Sequence, residues 1–120
     1  MCGIVGLFLK KEDLRPRLGD MLTDMLITMS DRGPDSAGIA IYGDPGDGHK
    51  ITVQSDTPGE SFAGLDIALG ETLGTPVAMK VNDTHAVLTV PADALKGAQA
   101  AIEARGLRIM GVGEAMELYK

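Results

Sequence analysis

The chain has 120 residues, 44% of them hydrophobic and 23% charged, which fits one globular domain with a modest single core and leaves extended disorder out. A net charge of −6, only two Phe, two Tyr and no Trp, and no apolar run of membrane-spanning length exclude an electrostatic phosphate-binding face, an aromatic stacking platform for nucleic acid and a transmembrane segment. The single cysteine excludes an internal disulfide and, with no basic stretch ahead of the first apolar run, points to a reducing cytoplasm.

In chain order, residues 2–9 (CGIVGLFL) are almost continuously apolar and short, which predicts a buried strand. Leu14, Leu18, Met21, Leu22, Met25, Leu26 and Met29 recur at spacings of three and four, the stripe of an amphipathic helix over 13–30. Asp13 is its expected N-cap, and Pro16 fits the first turn. The methionines read as core filler facing a sheet, not as a soft-metal site. Residues 31–38 (DRGPDSAG) break the helix. A strand over 39–42, a turn cluster over 43–48 and a returning hairpin strand over 50–54 follow. Residues 55–75 read as a loop with one short helix near 62–69. Strands over 77–81 and 86–90 join at Asn82-Asp83, and an alanine-rich helix over 91–105 stops at Gly106. A strand over 107–112 comes next, and 114–119 reads as the start of a further helix that ends uncapped, as a truncation would leave it.

Two short segments carry the chemistry. Cys2 directly follows the initiator methionine, and removal of Met1 leaves a residue bearing both a thiol and a free α-amine. An unperturbed α-amine has a pKa of ~7.7–8.0, close enough to neutrality to accept a thiol proton. A nucleophile activated by its own terminal amine is an established device of covalent catalysis. The plain alternative is a small buried apolar residue near the chain start. In 31–38, the guanidinium of Arg32 offers a planar fork of donors for a carboxylate or a backbone oxygen. The plain reading there is a polar loop with a weak Arg32–Asp35 pair.

Together, MCGIVGLF at 1–8, an amphipathic helix, DRGPDSAG at 31–38 and the strand GIAIY at 38–42 resemble the start of the class II glutamine amidotransferases, which are N-terminal-nucleophile hydrolases. The resemblance covers residues 1–43 and is specific because both segments occur together. It implies an α+β fold, the N-terminal part of an αββα sandwich. Residues 1–54 would open the glutaminase domain, and 55–120 would be an inserted small α/β unit or a continuation of that domain. Cys2 is implied as the nucleophile that attacks the side-chain amide of glutamine, with its α-amine as general base and then acid. Arg32 matches the arginine supporting the terminus and the glutamine pocket, and Gly33, Asp35 and Ser36 match residues that shape the same loop. Asp31 stands where His or Tyr often precedes the Arg-Gly pair. The long segment after 54 is similar to the amidotransferase subunits of glutamate-synthase-like complexes, particularly the N-methylglutamate synthase type. That implies a hetero-oligomer in which a synthase partner receives ammonia, with no cofactor or metal held by this chain.

The family's His-Thr-Arg segment, its oxyanion-forming Asn-Gly pair and the acidic residue for the substrate amine have no match in 44–120. Asn82 is followed by Asp83, and Arg105 and Arg108 fall at a helix end and a strand start. Losing one oxyanion donor costs ~100–1000-fold in rate, so the 120-residue chain alone is expected not to turn over glutamine. A non-catalytic regulatory or interaction module built on this fold, and another N-terminal-nucleophile amidohydrolase, are the alternative readings. His49 and His85 are isolated and read as strand or surface residues. Gly111-Val-Gly113 begins a dinucleotide-like pattern, but Met116 occupies the third glycine position.

Overall fold

The apolar stripe at 14–29 does what its spacing dictates. In the computed structural model, which describes residues 3–119, a 3-10 segment Glu12–Arg17 leads into α1 (Leu18–Met29), and a 3-10 turn Ser30–Arg32 ends it. Pro16 lies within the leading segment, and its missing N–H cannot enter an i→i−4 ladder, so the α-helix proper starts two residues later. Asp13 is therefore inside this segment instead of capping it; Lys11 holds the cap position, without a side-chain bond. The stripe residues named above are all half-buried, and the positions between them are exposed. On the exposed side, Thr23, Thr28 and Ser30 donate to the carbonyls of Gly19, Asp24 and Leu26, at 2.7, 3.0 and 3.2 Å.

The strand expected over 2–9 is not formed by its described residues. Val5, Leu7 and Leu9 are half-buried while Ile4 and Phe8 are 95% and 84% exposed, the two-residue alternation of an extended chain. An apolar run becomes a strand only with a neighbour to share its backbone hydrogen bonds, and 3–9 pair with no strand among the described residues.

The chain divides by compactness into units 1–37 and 38–120. The second is built on a four-stranded antiparallel sheet in the order β3-β4-β2-β5, formed by β2 (His49–Gln54), β3 (Ala78–Asn82), β4 (His85–Val90) and β5 (Arg108–Gly113). Helices α2 (Pro58–Ser61), α3 (Leu65–Leu73) and α4 (Leu95–Ala104) fill the connections. The sequence β2-α3-β3-β4-α4-β5 in this spatial order is the βαββαβ arrangement of ferredoxin-like folds. β1 (Ala40–Tyr42) pairs antiparallel with β6 (Met116–Tyr119) in a separate two-stranded sheet.

Three expectations are corrected here. Segment 50–54 is not the hairpin partner of 39–42; it pairs with β4 and β5, because a central position buries both of its faces. Residues 114–119 are not a helix, since β6 finds its ladder against β1. Residues 55–75 hold two helices, not one.

Alternation along the strands explains the core. Ile51 and Val53 of β2, Ala86, Leu88 and Val90 of β4, and Met79 of β3 turn one way, onto Leu65, Leu69 and Leu73 of α3 and Leu95, Ala98 and Ile102 of α4. Thr52 points to the opposite face and is still fully buried, with its hydroxyl 3.9 Å from the Met116 sulfur of β6. Between Thr52 and Val53 the β2–β5 register shifts, leaving Met110 as the extra residue of a bulge. Three turns fix the frame. Gly48 enters β2 at φ +112°, where a Cβ would lie 2.6 Å from the Val90 carbonyl oxygen. After α4, the Gly106 N–H donates to Glu103 and the Leu107 N–H to Ile102, a Schellman ending. The β3–β4 hairpin turns at Asp83, whose φ of +55° is tolerated by a short polar side chain.

Candidate functional site

The expected reactive centre belongs to the first unit. Cys2 lies outside the described residues, and the structure begins at its neighbour Gly3. A Cβ built on Gly3 would overlap the terminal methyl of Met29 and lie 3.8 Å from Arg32 Cβ. The start of the described chain therefore runs against the last residue of α1 and the arginine of the expected loop. The near neighbour at position 3 is the flexible end of Met29, a half-buried residue of the helical stripe.

Arg32 closes the 3-10 turn after α1, and the Gly33 N–H donates to the Ser30 carbonyl at 3.3 Å. That bond ends the helical path, and Pro34 then denies it a further N–H. Arg32, Gly33, Asp35 and Ser36 are all exposed. Arg32 and Asp35 form no ion pair with each other, and among the described residues Arg32, Asp35 and Ser36 make no side-chain hydrogen bond. The weak surface pair expected between them is absent. The structure thus brings Gly3 beside Arg32, while Asp35 and Ser36 stay solvated.

The second unit contains a feature the sequence reading passed over. β2 and β5 are antiparallel neighbours, so the end of β2 and the start of β5 meet at one sheet edge, where Gln54 pairs with Arg108. A polar cavity of about 410 Å³ opens there, lined by Ser55, Asp56, Thr57, Ser61, Arg105 and Arg108 among others. The hydroxyls of Ser55 and Ser61 are 2.7 Å apart, Thr57 Oγ1 is 3.3 Å from Ser61, and the Thr57 N–H donates to Ser55 Oγ at 3.0 Å. Arg105 donates from Nη1 to the Ala101 carbonyl at 2.9 Å. Two loops far apart in sequence build this cavity. The available signal was the hydroxyl-rich run 55–61 together with two arginines flanking a helix-stop glycine.

The two histidines lie in strands. His85 is buried at the start of β4, with Nδ1 3.0 Å from Thr84 Oγ1. His49 opens β2, with Nε2 3.5 Å from Glu114 and a buried Nδ1 that has no partner. Gly111-Val-Gly113 is strand backbone paired to β2, not the turn into a helix that a dinucleotide site needs. Among the described residues no helix is long and apolar enough to cross a membrane, and no three His, Cys, Asp or Glu side chains gather as a metal site.

The chain is 51% identical over 123 aligned residues to the glutamine amidotransferase-like protein GlxB of Rhizobium meliloti (strain 1021), an alignment covering all of this chain and 40% of that protein. The chain thus spans well under half the length of this relative. The similarity supports a relationship to the glutamine amidotransferases. No protein-family model matches the chain. No solved structure matches it.

Proposed function

We propose that this chain carries the nucleophile-bearing portion of a class II glutamine amidotransferase of the N-terminal-nucleophile type. The observation that carries the reading is the joint presence of Cys2-Gly3 and the Arg32–Gly38 loop in a chain that matches an amidotransferase-like relative along its whole length. The approach of Gly3 to Arg32 supports it, because the expected site requires these two segments to meet.

With Met1 removed, the α-amine of Cys2 takes the thiol proton while sulfur attacks the side-chain carbonyl carbon of glutamine. Collapse of the tetrahedral intermediate breaks the C–N bond, and the same proton passes to the departing ammonia. Water then attacks the γ-glutamyl thioester, which releases glutamate and restores the thiol. Arg32 supports the terminus and the glutamine pocket, and Gly33, Asp35 and Ser36 shape the loop. Ammonia would pass to a synthase partner in a cytoplasmic hetero-oligomer, and the chain's place would be within an αββα sandwich. The Asn-Gly and His-Thr-Arg segments have no match in 44–120, so the proposal gives no residue of that stretch the oxyanion or carboxylate-binding role.

The test is covalent labelling of the full polypeptide with an electrophilic glutamine analogue. One adduct per chain on Cys2 is expected, slowed by excess glutamine and lost in Cys2→Ala. Labelling that glutamine does not slow would overturn the glutaminase reading. Intact mass should show the loss of one methionine.

A further inference from the structure

We propose that the polar cavity between the β2–α2 loop and the α4–β5 turn binds a small α-amino acid, its carboxylate on Arg105 and Arg108 and its ammonium on Asp56. The site lies wholly within residues 38–120 and uses none of the residues of the proposed glutaminase centre.

The charges make the argument. The chain carries 17 acidic against 11 basic residues, yet two arginines converge here with a single acidic residue, Asp56, in the lining. Both arginines are exposed, and Arg108 has no ion-pair partner among the described residues. Two arginines in one lining, with Arg108 in no ion pair among the described residues, favour an anion from solution. Guanidinium, planar and forked, suits a carboxylate better than an ammonium would.

The turn geometry presets the arginines. Arg105 is the last position before the left-handed Gly106, and the Schellman bonds to Glu103 and Ile102 hold the backbone on either side of that glycine. Its side chain is tethered by one nitrogen to the Ala101 carbonyl, which leaves its other N–H groups to a ligand. Arg108 is held by the β2–β5 ladder opposite Gln54. Across the cavity, Ser55, Thr57 and Ser61 hydrogen bond to one another in a chain, so their hydroxyls are already ordered. Ordered hydroxyls donate to a carboxylate, or accept from an ammonium, with little further entropy loss. The volume, about 410 Å³, lies in the range of small-molecule sites. Asp56 selects within the anions: it repels a phosphate or a plain dicarboxylate and attracts a ligand that carries a cation beside its carboxylate.

The experiment is a titration of the 120-residue chain, followed by backbone amide NMR shifts at constant ionic strength, with L-glutamate, glutarate and inorganic phosphate as separate probes. Saturable shifts at 55–57, 61 and 105–108 are expected with L-glutamate. Glutarate, which lacks the ammonium, should bind at least about tenfold more weakly, as should phosphate, a difference worth about 1.4 kcal/mol. Arg108→Gln should weaken L-glutamate by about tenfold or more, and Asp56→Asn should erase the preference over glutarate. Asp56 and Arg108 are both exposed, so both variants should keep the wild-type spectrum elsewhere. No saturation with L-glutamate, phosphate or glutarate binding as tightly as L-glutamate, or unchanged binding in Arg108→Gln would each overturn the proposal. The readout is binding rather than turnover, so failure here leaves the labelling of Cys2 untouched, and the reverse also holds.

Discussion

At the scale of single residues, backbone geometry sets sharper limits than side-chain chemistry. Gly48 combines a left-handed φ with the Val90 carbonyl in the space a Cβ would take. Gly48→Ala should therefore destabilise the fold by about 1–3 kcal/mol, through strain that the β2–β4 ladder cannot relieve. A chemical-denaturation midpoint shifted downward at unchanged slope would show it. Gly3 is the contrasting case, since the atom in its way is the free end of Met29, a flexible chain that can turn aside. Arg105 and Arg108 show where reading by residue stops. Their identities are plain in the sequence, but the cavity they share with Ser55 and Ser61 exists only because two antiparallel strands end side by side.

At the scale of elements, legibility followed the range of the interaction. The α1 stripe was readable because periodicity is local: the same seven apolar positions that recur in the sequence are the half-buried ones. The β3–β4 hairpin was readable because its turn is short and adjacent. β6 was not, because Met116–Tyr119 is too brief to show a period and acquires its identity from Ala40–Tyr42, more than seventy positions earlier. β2 misled for a related reason. A strand following a turn cluster invites pairing with its predecessor, whereas burial on both faces drew it to the sheet centre. The α4 packing gives a direct test. Ile102 is fully buried against the sheet core, so Ile102→Ala should lower stability by about 2–5 kcal/mol. Thermal unfolding followed by far-UV circular dichroism measures it, and an unchanged midpoint would contradict the packing described.

At the scale of the molecule, burial is unevenly shared. Every fully buried side chain among the described residues falls between Ile51 and Met116, and none falls in 3–37. Protection against hydrogen exchange should follow the same division. Amides of β2 and β4 are expected to exchange last, and those of α1 by local opening at least about tenfold faster. Equal protection of α1 and β2 would show that burial does not govern local stability here.

The interleaved strand order also has a consequence for synthesis. β2 is made early, yet both of its neighbours are made later: β4 at His85–Val90 and β5 at Arg108–Gly113. On the ribosome, β2 keeps two open edges until residues 85–113 have emerged. Loop closure over such separations is slow relative to local helix formation. During that interval α1 can form on its own periodicity, while the Ile51 and Val53 side of β2 stays exposed to the wrong partners. The exposure of this six-residue strand therefore lasts longer than that of any local element, and pairing errors should concentrate there.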